Sequence, residues 1–195
     1  MKNLQNYNSM NNCCCSCGIK QAICILKDIK DLIKKQTVYF NCGTSYGEIK
    51  DSKYPNFVLI EETSETSNKM KINLCIDDIN FIKIEPKYGE CQSIINELNK
   101  YYISPVAVEG KCNENCCCKS SVAAYMKDKY IKPRSDKRNF KITFRNINYS
   151  VPNIENHFVT IIYLDYDVAW AIDVIDKSLY LISLCQVCAL IDSNT

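Results

Sequence analysis

The sequence holds one histidine, His157, and that scarcity thins the catalytic options at once. A cysteine–histidine nucleophile pair would need one particular thiol to find that one imidazole. Nothing in Asn156-His157-Phe158 marks it as a general base rather than a strand-end residue. Glycine and proline number only 5 each, which argues against a loop-rich miniature scaffold held together by its bridges. CGTSYGEIK has two glycines but neither the lysine-serine ending of a phosphate loop nor dinucleotide-binding spacing. No apolar run approaches the roughly 20 residues that cross a bilayer. The opening MKNLQNYNSMNN lacks the basic-then-apolar pattern of a secretory leader. An excess of one charge is missing too: 24 basic against 22 acidic residues leave +2, so no global field favours nucleic acid or an anionic membrane. The carboxylate pairs Glu61-Glu62, Asp77-Asp78 and Asp165/Asp167 read as charges on solvated strand faces. The expectation is a chain that is not an enzyme, needs no cofactor, binds neither nucleic acid nor membrane, and is made without an export signal.

Cysteine is abundant, with 14 residues, many gathered into two knots. Cys13, Cys14, Cys15 and Cys17 form the first; Cys116, Cys117 and Cys118 form the second, with Cys112 just before it. A core of this size needs far fewer thiols, so some are expected to serve something other than internal stability. Cys42, alternating with Val38 and Phe40, reads as a small buried hydrophobe on an inward face. The knots flank polar arms, where that reading is poor.

Two chemistries compete for them. Cys13, Cys14, Cys15, Cys17, Cys116, Cys117 and Cys118 could hold a soft metal, copper(I) or zinc. Standard zinc sites, however, pair cysteines two to four residues apart so that a tight turn aims both sulfurs at one ion. Disulfide cross-linking fits the spacing better. Vicinal cysteines strain a bridge to each other, and their side chains splay, so one triplet can reach several neighbours. Cys24, Cys75, Cys185 and Cys188 offer places to receive such bonds.

After residues 1–17, a polar arm ending in the first knot, GIKQAICILKDIKDLIKK reads as a helix, with Ile19, Ala22, Ile23, Leu26, Ile29 and Ile33 on one stripe and Cys24 off it. Strands follow in TVYFNC, YGEIKD, NFVLIEE, KINLCID and INFIKIE, completing a unit over 18–86 in which Cys75 points away from the core. Residues 87–118 are read as a connector, with a short helix in ECQSIINELNKYY before the second knot.

The pattern then restarts over 119–195. CCCKSSVAAYMKDKYI repeats knot and helix, and FKITFRNINYSVPNIENHFVTIIYL is matched to VYFNCGTSYGEIKDSKYPNFVLIEE with Phe158-Val159 on Phe57-Val58. LYLISLCQVCALI resembles INLCIDDINFIKI, with Leu184, Val187 and Leu190 on Ile76, Ile79 and Ile82. A hairpin is expected where Val168–Ile175 and Leu179–Leu184 flank Asp176-Lys177-Ser178. The predicted fold is α+β: two tandem diverged units, each a helix and about five strands curved into a small barrel or sandwich in an Sm-like order of elements.

The polar arm, the CCCxC knot, the helix GIKQAICILKDIKDLI and the strand unit ending INLCIDDINFIKI resemble the cysteine-rich coat and exosporium proteins of endospore-forming Firmicutes. That resemblance implies a structural protein, made in the mother cell, that assembles with itself into a ring, lattice or filament on the spore surface. It further implies disulfide linking, with Cys13, Cys14, Cys15, Cys17, Cys116, Cys117 and Cys118 as cross-linkers, and other cysteine-rich spore proteins as possible partners.

Overall fold

The structure, a computed structural model, describes residues 17–54, 56–62, 70–102, 122, 125–126, 139–144, 158–165, 167–173 and 175–192. Helix α1 (Cys17–Asp28) lays Ile19, Ala22, Ile23, Ile25 and Leu26 into the core and leaves Cys24 exposed. It stops earlier than its apolar stripe predicts. A 3₁₀ turn at Lys30–Leu32 redirects the chain, and Ile33 opens strand β1 (Ile33–Phe40) opposite Pro86 instead of extending the helix. A stripe at helical spacing cannot reveal this, because Ile33 is apolar in either conformation.

Strands β2 (Gly43–Asp51), β3 (Phe57–Glu62), β4 (Lys71–Cys75) and β5 (Ile79–Pro86) follow, with a 3₁₀ turn at Ile76–Asp78 between the last two. Helix α2 (Gln92–Leu98) buries Ile94 and Leu98. Of the second helix expected from the sequence, residues 122, 125 and 126 are described and are helical, and Met126 is buried. Strands β6 (Asn139–Phe144), β7 (Val159–Leu164), β8 (Val168–Asp173), β9 (Ser178–Ser183) and β10 (Val187–Asp192) complete the chain, with a 3₁₀ turn at Leu184–Gln186 before β10. The β8–β9 hairpin turns where expected, with Lys177 at φ 54°.

The fold is mixed α+β, built on one ten-stranded antiparallel sheet in the order β10-β6-β7-β8-β9-β5-β1-β2-β3-β4. Among the described residues two separate closed barrels are not formed. β4 and β5 are not neighbours in the sheet; the outer side of β5 is taken by β9, which joins the two halves into a continuous ladder. Each half follows the same internal order, its fifth strand beside its first, then second, third and fourth. The irregularities recur as well: β5 steps over Asn80 in its pairing with β1, and β10 steps over Cys188 in its pairing with β6. The expected match of Phe158-Val159 to Phe57-Val58 does not hold. Phe57 and Val58 stand in a third strand, β3, whereas Val159 opens a second strand, β7; the third strand of the later half is β8, with Val168 and Ala169.

Two apolar clusters lie on opposite faces of the central strands. Val38, Ile82, Ile84, Leu179, Leu181 and Trp170 join one with α1 and α2; Tyr39, Phe81, Tyr180, Ile182 and Ala171 join the other with β6 and β7. β9 is therefore buried along its whole length and β5 nearly so, which explains why SLYLIS and INFIKI lack the polar alternation of a half-solvated strand. At Gly47, β2 passes so close to β3 that an added Cβ would sit 2.2 Å from the Glu61 carbonyl oxygen. Gly47→Ala is therefore expected to cost about 1–3 kcal/mol, read as a lower urea midpoint at unchanged slope. Gly43→Ala, whose Cβ would meet only the Phe40 ring at 3.4 Å, should shift it far less.

Candidate assembly interface

The β5–β9 ladder pairs Phe81 with Ile182, Ile82 with Leu181, Lys83 with Tyr180 and Ile84 with Leu179. Side chains reinforce it on both faces. Phe81 stacks on Tyr39 with ring centroids 4.2 Å apart and packs against Phe144 and Tyr180. Lys83 donates to Asp176 at 2.8 Å, and the Tyr180 hydroxyl donates to the same carboxylate at 2.8 Å. Burial pushes that carboxyl up, but the Lys83 ammonium and the Tyr180 hydroxyl outweigh it and hold the pKa below its ordinary value. On the α2 side, Trp170 donates to the Tyr102 hydroxyl at 2.9 Å and Tyr102 stacks on Tyr163.

A further contact across the junction runs from the start of α1 to the β7–β8 turn. The Gly18 amide donates to Asp167 Oδ2 at 3.0 Å. An anion there satisfies one of the open amides of the helix N-terminus. Asp167 is 1 % exposed, and its Oδ1 has no hydrogen-bond partner. The sequence reading of Asp165/Asp167 as solvated charges is thus corrected at Asp167, whose burial depends on a helix 149 residues away in sequence. Gly18 is required at this contact, since a Cβ would fall 1.9 Å from Asp167 Oδ1.

The sheet ends on β4 and β10. Among the described residues no strand pairs with the outer side of either. Positions buried at the central junction have exposed counterparts here. Leu179 and Leu181 of β9 are fully buried, whereas Lys71 and Asn73, at the corresponding places before the 3₁₀ turn of the first half, are exposed. Asn80 and Phe81 of β5 are buried, whereas Cys188 and Ala189 of β10 are exposed. Glu61, on β3 next to the β4 edge, is held down to about 2 by the Lys50 and Lys71 ammonium groups against a smaller opposing effect of burial.

The cysteines divide by environment. Cys24, Cys42 and Cys188 are exposed and unbonded, and Cys75 is unbonded and half-buried at the end of β4. Cys42 does not face the core as expected; it sits in the β1–β2 turn, where the alternation of the strand has already ended. Cys185 is disulfide-bonded within the chain. Cys91, which the sequence reading left unassigned, is buried at the start of α2. Its Sγ lies 3.2 Å from the Lys177 carbonyl oxygen, and burial pushes its thiol up to about 11. Cys13, Cys14, Cys15, Cys112, Cys116, Cys117, Cys118 and His157 lie outside the described residues, and Cys17 is described only as the first residue of α1. Among the described residues no group of three or more His, Cys, Asp or Glu could hold a metal ion, and no helix is long and apolar enough to cross a membrane.

Comparison with protein-family models, with curated proteins and with solved structures gives no match for this chain.

Brief alkylation of the folded chain, read by peptide mass spectrometry, should modify Cys24 and Cys42 quickly and Cys91 only on unfolding. A second prediction concerns pH. Burial raises the Asp167 carboxyl to about 6, with the Gly18 amide opposing the rise and Asp165 adding to it. The native state therefore holds this proton more tightly than the unfolded chain, so the contribution of Asp167 to stability grows as pH falls from above ~6 toward ~4 and is lost as pH rises through that window. In urea titrations the wild type should gain about 1 kcal/mol relative to Asp167→Asn between pH 7 and pH 5.

Proposed function

We propose that this chain is a self-assembling structural protein built from two tandem units, and that successive copies add head to tail by pairing β10 of one with β4 of the next. The observation that carries the reading is the central junction. It joins the fourth strand of one half to the fifth strand of the other, and the two strands left open at the ends of the sheet are the remaining fourth and fifth, β4 and β10. The repeated strand order, the repeated 3₁₀ turns at Ile76–Asp78 and Leu184–Gln186, and the repeated steps at Asn80 and Cys188 support the tandem origin. So does one backbone contact: the Ile76 amide donates to the Asn56 carbonyl, as the Leu184 amide donates to the Asp167 carbonyl.

Copying the central register onto the open edges sets Ala189 opposite Leu74, Leu190 opposite Asn73, Ile191 opposite Ile72 and Asp192 opposite Lys71. An aspartate and a lysine then replace the apolar Ile84–Leu179 pair of the central junction. A contact between unlike edges propagates, giving a closed ring when the rotation per copy closes and a filament otherwise. A paired edge also removes the open strand that folded proteins otherwise have to protect. The spore surface is the setting we assign to it, on the resemblance of its cysteine-rich segments to coat and exosporium proteins. There a cross-linked layer would gain resistance from covalent bonds between neighbours.

Light scattering of the full chain in reductant should find particles well above the 22.4 kDa single chain. A single chain at every concentration would refute the reading. Asp192→Lys, which sets two lysines opposite each other, should raise the half-assembly concentration about three-fold, and the swap Lys71→Asp/Asp192→Lys should restore it.

A further inference from the structure

We infer that Cys75 of one copy and Cys188 of the next form an interchain disulfide across the β4–β10 contact. The inference rests on the head-to-tail reading above and adds the covalent link that fixes it. The central ladder ends on the pair Phe81 and Ile182, and one step further in the same register brings Asn80 to Ser183. Asn80 is the residue that β5 steps over in its pairing with β1, and Ser183 is the last residue of β9, immediately before a 3₁₀ turn. At the open edges the residue that β10 steps over is Cys188, and the last residue of β4, immediately before its own 3₁₀ turn, is Cys75. The register that sets Asn80 against Ser183 thus sets Cys188 against Cys75.

The geometry suits a bridge. Directly opposed residues in antiparallel strands have Cα atoms about 4.5–5.5 Å apart, inside the span of about 4.4–6.8 Å that a disulfide needs. Both thiols are unbonded within the chain, Cys188 exposed and Cys75 half-buried. They also stand on the two terminal strands of the sheet order, separated by eight strands, so the bond lies between copies. At the central junction the same position carries a buried asparagine whose amide oxygen and nitrogen both lack hydrogen-bond partners, beside a buried serine. That junction is held by the continuous chain and does not need a covalent link, whereas the junction between copies does.

The chemistry balances with a small-molecule disulfide of the glutathione type as oxidant. One cysteine thiolate attacks a sulfur of the small disulfide, forming a mixed disulfide and releasing one small thiolate. The opposing cysteine thiolate then attacks the protein sulfur, closing the Cys75–Cys188 bond and releasing the second. Two protein thiols are oxidised and one small disulfide is reduced to two thiols, with the protein protons passing to the released thiolates through solvent.

The test mixes isotopically heavy and light full-length chains, assembles them in reductant, and then transfers them to oxidised glutathione before digestion. Particle size in reductant and linked peptides after oxidation are read separately. The expected result is a Cys75–Cys188 peptide pair in which half the molecules combine one heavy and one light partner. Cys188→Ser should abolish that pair while leaving the particle size in reductant unchanged. Particles in reductant without this linked pair, or a pair found only as heavy–heavy and light–light, would overturn the disulfide and leave head-to-tail assembly standing. Absence of both particles and linked pair would overturn the two together.

Discussion

The burial of β5 and β9 on both faces is the constraint on which the rest of the molecule depends. Two strands that are apolar on both sides cannot end a sheet in water, and each supplies the covering that the other lacks. One face of the ladder is closed by α1 and α2, the other by β6 and β7, so the two apolar clusters of the chain meet along a single line of backbone hydrogen bonds. Phe81 and Ile82 are neighbours in sequence yet belong to different clusters. Weakening this line would expose apolar surface on both sides at once, so the halves are expected to unfold together.

The polar contacts of the junction follow from the same geometry. Lys83 and Asp176 are mostly buried and could not be left single, because an unpaired charge there would keep its desolvation cost with nothing to offset it. Asp167 is the exception that is only half satisfied: one oxygen receives the Gly18 amide and the other has no partner. Burial raises its pKa against the lowering effect of the Gly18 amide, and ties the α1 contact across the junction to pH.

Much of this was legible in the sequence, for identifiable reasons. Strand alternation and turn residues located β3, β4, β5 and the β8–β9 hairpin because each is short and bounded by polar or turn-forming residues. Leu184 and Val187 open a three-residue 3₁₀ turn and the strand after it, as Ile76 and Ile79 do, so the similar apolar spacing of these two segments goes with a similar local structure. The earlier segments slipped. The first and second strands are separated by residues 41–42 in the first half and by residues 145–158 in the later half, so an alignment by residue type put Phe158-Val159 one strand too late. The end of α1 was hidden because Ile33 suits helix and strand alike. Asp167 and the pairing across the sheet depend on residues distant along the chain, which periodicity cannot report; Cys42 was misread because strand alternation was carried into a turn.

Helix α2 lies in the stretch between β5 and the second half of the sheet, and packs over the face that carries Trp170 and Leu179. On the tandem reading this tether means that every half-sheet enters an assembly already married to a specific mate. Closed rings can then contain only even numbers of half-sheets, and each has two kinds of seam in alternation, one inherited from translation and one left to encounter in solution. On the head-to-tail reading, a particle kept in reductant should therefore break at every second seam, shedding pairs and never singletons.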